Sequence, residues 1–150
     1  MADADDGDPE RTPSGHHIVV NGRRWRATDP SIPEPLRAEL VSALMAARRA
    51  VRTDGGARPA VHDAKVALGE RGEPWWEPTT PEGRVDRLQR AARALLRHRG
   101  DDGIVTVEEL ATLSPGSGVE VADARRAVEE LTGAVGANAV RCADIRTEYR

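Results

Sequence analysis

PEGRVDRLQRAARALLRHRG, residues 81–100, is the stretch that decides how the chain is divided. Val85, Leu88, Ala92, Leu95 and Leu96 recur at steps of three and four, so one face is apolar and a long helix is predicted from Pro81 to Arg99. Gly100 and Gly103 then flank an acidic turn. Working outward to the C-terminus, Ile104-Val105 is a short apolar pair. Thr106 with Glu109 three residues on is a capping box, which opens a short helix through Leu113. Residues 114–118 read as a loop. Val121, Ala124, Val128 and Leu131 form the stripe of a further helix, ended by Gly133. Ala139 to Cys142 and Ile145 to Tyr149 are two short alternating runs, read as a hairpin turning at Ala143-Asp144.

Working outward to the N-terminus, three prolines between Glu70 and Pro81 forbid regular structure, so the internal boundary is expected near residue 80. Before it, Val61, Ala64, Ala67 and Leu68 mark a helix from about Pro59 to Leu68. Leu36, Leu40, Leu44, Ala47 and Val51 mark another from about Glu34 to Arg52, and the Gly55-Gly56 link makes the two an antiparallel pair. His17 to Val20 and Arg23 to Arg26 flank Asn21-Gly22, the dipeptide that a type I′ hairpin turn demands. Residues 1–15 are acidic and rich in small residues, and disorder is expected there. The expected fold class is α+β and mostly helical. A disordered acidic tail (1–15) leads into a β-hairpin and helical hairpin with a Trp-containing loop (16–79), then a C-terminal unit (80–150). The order helix, short strand, helix, helix, hairpin in that unit resembles the winged-helix layout.

Composition narrows the function. The 150 residues carry 3% aromatics, no Phe and 31% charged side chains, which leaves no material for a large aromatic cofactor cavity. One cysteine, Cys142, excludes a disulfide framework. No apolar run approaches the roughly 20 residues of a spanning helix. No basic-then-apolar leader opens the sequence, so a cytoplasmic location is expected, with no membrane partner. The net charge of -3 is uneven: residues 1–15 and 101–150 are acidic, and residues 16–100 are basic. Of 22 basic residues all but Lys65 are Arg.

Two strings, RRWRATDPSIP from Arg23 to Pro33 and KVALGERGEPWWE from Lys65 to Glu77, are similar to a small actinobacterial family of uncharacterised proteins. Some of its members carry the label "biopolymer transporter Tol". The resemblance spans about residues 17–98 and implies no activity, catalytic residue or cofactor.

The candidate binding surface comprises Arg23, Arg24, Trp25, Arg26, Trp75, Trp76, Arg84, Arg87 and Arg90. Arginine beside exposed indole suits stacking on single-stranded nucleic acid or a nucleotide. The competing expectation is structural: Trp25 and one of the Trp75-Trp76 pair buried, the pair packed back near Leu40 and Leu44, and the arginines forming a solvated face paired with nearby acids or docked on the acidic tail. His16-His17, His62 and His98 lack metal-ligand spacing, and Cys142 has no nameable base partner. No phosphate-loop, dinucleotide or nucleophile-elbow motif occurs. The helix that would enter DNA in a winged-helix protein, Val119 to Leu131, carries Glu120, Asp123, Glu129 and Glu130 against Arg125 and Arg126, the wrong charge for a phosphate-lined groove. The sequence therefore leads to a non-enzymatic protein-interaction or adaptor module with an unidentified protein partner and no cofactor. Nucleic-acid or transcription-associated binding through the Arg/Trp-rich middle segment is the alternative.

Overall fold

Asn21 and Gly22 both take positive φ, 52° and 78°, and close a tight turn between β2 (His17–Val20) and β3 (Arg23–Arg26). The register pairs Val20 with Arg23 and Ile18 with Trp25. This is a computed structural model that describes residues 9–113 and 120–145. A third strand, β1 (Glu10–Arg11), adds antiparallel to β2 and corrects the expectation of disorder through residue 15. Its contribution is backbone pairing alone, which leaves no apolar alternation in the sequence. The turn from β1 to β2 is held by Thr12, whose amide donates to the His17 carbonyl at 3.0 Å. Residues 1–8 lie outside the described part.

Residues 27–33, which turn at Pro30-Ser31 on the Asp29 carboxylate, lead into α1 (Glu34–Val51), which buries Leu36, Leu40, Leu44 and Ala47. A short 3-10 turn, Gly55–Ala57, runs into α2 (Arg58–Ala67), and the two helices form the expected antiparallel pair. α3 (Pro81–Arg99) starts at Thr80, whose hydroxyl accepts from the Gly83 amide at 3.0 Å, and stops at Gly100 with φ of 87°. β4 (Ile104–Thr106) follows, and the capping box of Thr106 and Glu109 opens α4 (Val107–Ala111) as the sequence predicts. α5 (Glu120–Thr132), β5 (Ala139–Arg141) and α6 (Cys142–Ile145) complete the described chain. The fold is α+β and mostly helical.

The C-terminal hairpin needs correction. β5 pairs antiparallel with β4, Val140 opposite Val105. Both valines are fully buried, so this distant partner takes the apolar residue of the strand. Asp144 then accepts from the Arg141 amide at 2.8 Å, and α6 stands where the hairpin turn at Ala143-Asp144 was expected. The expected strand from Ile145 to Tyr149 falls mostly on residues 146–150, and the expected loop at 114–118 falls wholly outside the described residues.

α3 packs on α1 and α2 along one side and on α5 along the other, which is why every residue from Ala91 to Leu96 is buried. A single apolar cluster runs from Ile32 through α3 to Ile145. The boundary expected near residue 80 thus falls where a helix shared by both halves begins. Among the described residues no helix is long and apolar enough to cross a membrane.

Candidate functional site

The arginines of α3 are turned to structural use. Arg84 donates to Asp123 at 2.7 Å and to the Thr79 carbonyl at 2.9 Å. Arg87 donates to Asp29 at 3.0 Å and to the Ala67 carbonyl at 3.1 Å. Arg90 and Arg97 share Asp63, at 2.9 and 2.7 Å, and Arg90 also holds Asp86. Asp63 is only 1% exposed, so it depends on these two guanidiniums to carry its charge without water. Arg99 bridges Glu39 and Glu109. The hydrogen bonds from Arg99 hold both carboxyls below their ordinary 4.5, and the bonds to Glu39 and Glu109 push the guanidinium up. Burial pulls Arg87 down, and Asp29 works against it. Three of the expected surface residues, Arg84, Arg87 and Arg90, are therefore stitches between helices.

The tryptophans are placed differently from expectation. Trp25 is 41% exposed on β3, under the Arg23 guanidinium at 4.6 Å from the ring centre and beside Lys65 Nζ at 5.6 Å. Trp75 and Trp76 are both half-buried, and neither belongs to the core cluster that contains Leu40 and Leu44. They dock on the small sheet instead. Trp75 Nε1 donates to the Ala27 carbonyl at 2.9 Å, Trp76 stacks on His16 at 4.2 Å, and Arg26 lies 5.6 Å above Trp76. The reason is space. Gly69, at φ of 82°, lies so close that an added Cβ would sit 3.0 Å from Trp75 Cδ1. The indole therefore occupies the notch between the end of α2 and the sheet.

The loop after α2 is anchored along its length. Lys65 pairs with Glu70 at 3.8 Å, Thr28 donates to Glu70 at 2.7 Å, and Arg26 donates to the Gly72 carbonyl at 2.8 Å. Glu73 receives both the amide and the hydroxyl of Thr80.

What remains is a basic face. Arg23, Arg24, Arg48, Arg49, Arg52, Arg58 and Arg71 are exposed, and none forms an ion pair with an acid among the described residues. Two clefts open on this face and share Arg48. One, of about 360 Å³, runs along Val20, Trp25, Arg26, Lys65 and Glu70. The other, of about 500 Å³, is lined by Arg48, Val51, Arg58, Val61, His62 and Arg71, with no acid among the described residues of its wall. Burial lowers the pKa of Lys65, Glu70 raises it, and Arg71 and Arg48 add to the lowering. Arg58, His62 and Arg71 escaped the sequence reading. The first two stand four apart on one helix, and Arg71 follows the helix end, so a single face connects them without any run of basic residues.

Other features offer less. A groove of about 540 Å³ between α1, α2 and α3 is walled mainly by alanines, with only Arg97 and His98 as side-chain polar groups. Cys142 is half-buried, with its sulfur 3.7 Å from the Leu96 carbonyl oxygen, and no base among the described residues touches it. Compared with known protein families, curated proteins and solved structures, the chain matches none.

Proposed function

We propose that the protein is a non-catalytic cytoplasmic adaptor that engages an acidic surface of a partner protein. The working face is formed by β3, the last turn of α1, the first turn of α2 and the loop after it. The observation that carries this reading is the division of the arginines. Those of α3 named above are paired with acids, while seven on the N-terminal half face solvent without one among the described residues. Unpaired guanidiniums in that number cost self-repulsion, and an acidic partner removes it.

The C-terminal order α3, β4, α4, α5, β5 supports a winged-helix-like unit used as scaffold. α5 stands at the recognition position, yet its exposed Arg126 is paired with Glu130 at 2.9 Å and Arg125 donates to Asn138 at 3.0 Å. That leaves little on α5 for DNA phosphates. A second reading, single-stranded nucleic acid on the N-terminal face, is favoured by one observation: Trp25 is exposed and carries Arg23 and Lys65 against its ring.

Affinity capture with nuclease treatment tests the choice, comparing the wild-type chain with the triple variant Arg24→Glu, Arg49→Glu, Arg52→Glu. Proteins retained by the wild type and released by the variant support the adaptor. Retention that disappears with nuclease favours the nucleic-acid reading, and equal retention by both chains sinks the claim for this face.

A further inference from the structure

The acid-free cleft between the end of α1 and the start of α2 is more specific than the face around it. Three guanidiniums, Arg48, Arg58 and Arg71, share one wall with His62 above a floor of Val51, Pro59 and Val61. Arg71 Nη1 lies 3.2 Å from His62 Nδ1. A guanidinium carries only donors, so Nδ1 accepts and the imidazole proton sits on Nε2. The imidazole adds no negative charge to the cleft.

Arg58 stands at the N-terminal end of α2, where the helix dipole already places partial positive charge, and the first turn holds no acid. The nearest acid before it, Asp54, is committed to the Gly56 amide at 2.8 Å. A cation is least welcome at that end of a helix, and an anion in the cleft reverses the penalty. Arg71 rides on the anchored loop, held on either side by Glu70 with Lys65 and by the Gly72 carbonyl with Arg26, so its approach to the cleft is fixed before any ligand arrives.

We propose that this cleft binds a phosphate monoester with an apolar substituent. The charge count selects the head group. Three guanidiniums meeting a carboxylate keep two uncompensated charges, whereas a phosphate monoester, whose second pKa is about 6, is close to a dianion at neutral pH and offers three acceptor oxygens to several forks. The valine and proline floor takes the substituent, and a volume of about 500 Å³ accommodates a small organic ester. The site stands independently of the adaptor reading, since it needs no macromolecular partner.

Isothermal titration calorimetry of the full chain with phenyl phosphate, phenylacetate and inorganic phosphate tests it. Phenyl phosphate is expected to bind more tightly than either of the others, and Arg58→Ala or Arg71→Ala to weaken it about tenfold each. The melting temperature of these variants should stay near the wild-type value, because neither side chain is bonded to an acid. A phosphotyrosine peptide separates the sources: tighter binding than phenyl phosphate identifies a phosphorylated side chain of a protein, and equal binding identifies a free ester. The proposal is overturned if phenyl phosphate gives no heat, if phenylacetate binds equally well, or if both variants bind like the wild type. It is also overturned if a short oligothymidylate displaces phenyl phosphate more effectively than the peptide does.

Discussion

The arginines of α3 and those of the N-terminal face are the same side chain in two physical situations. On α3 they reach across 10 to 60 residues of sequence to acids on other elements. On β3, the end of α1 and the start of α2 they meet other arginines and solvent. The difference is set by where the acids are. Asp29, Asp63 and Asp123 are buried against α3, and a buried carboxylate without a cation is far more costly than an exposed arginine without an anion. The first group therefore serves the fold, and the second stays exposed to solvent.

The most severe way to break this comparison is to remove an acid. Asp63→Ala leaves Arg90 and Arg97 without the carboxylate they share, and the expected loss is about 3 kcal/mol of unfolding free energy, moderated because both guanidiniums still touch water. Arg58→Ala should change stability by no more than about 0.5 kcal/mol. Urea titrations that found the two losses equal would erase the distinction.

The indoles offer the next largest contrast. Trp75→Ala removes a half-buried ring and its hydrogen bond to the Ala27 carbonyl, at an expected cost of about 2 kcal/mol, below the range for a fully buried Trp. Trp25→Ala, on the open side of β3, should cost about 0.5 kcal/mol or less. Thermal melts of the two variants check the order, and a larger loss for Trp25 would contradict its exposed position.

Acid titration sharpens the comparison further. Glu39 and Glu109 are held below their ordinary 4.5 by Arg99, so the folded state favours their charged forms. That stabilisation is complete above the unfolded value and is lost as pH falls through the folded one. Arg99→Leu should therefore lower the urea midpoint at neutral pH, and the gap to wild type should narrow as pH drops below 4.5. A gap independent of pH would mean that Arg99 acts by packing alone. The smallest effect belongs to the basic face itself. Arg48→Gln should move the Lys65 ammonium upward toward its ordinary 10.5, detectable by NMR titration of the lysine side chain. A stationary Lys65 would show that these cations do not share one field.

Much of this was legible in the sequence where the signal is local. The stripe on residues 81–99, the Thr106–Glu109 box and the Asn21-Gly22 turn each carry their own geometry within a few residues. β1 was missed because Glu10 and Arg11 contribute only backbone pairing. β4 and β5 pair three residues with three across the whole of α4 and α5, which no short-range pattern announces. The site was half legible for the same reason. Arg23, Arg24 and Trp25 advertise themselves as a run, but Arg84, Arg87 and Arg90 look no different in sequence, and their acids come from remote segments. Arg58, His62 and Arg71 meet only once α2 and its following loop are folded.

β3 has a further consequence. It is one of the two outer strands of its sheet, paired on one side by β2. An unpaired strand edge invites a second molecule to extend the sheet, the first step of fibril growth. On β3 that edge bears Arg23, Arg24 and Arg26 around the single indole of Trp25. A second copy laid antiparallel along it would bring guanidinium rows face to face, and like charges directly opposite repel. The arginines of β3 thus oppose growth of the sheet through a β3–β3 pairing.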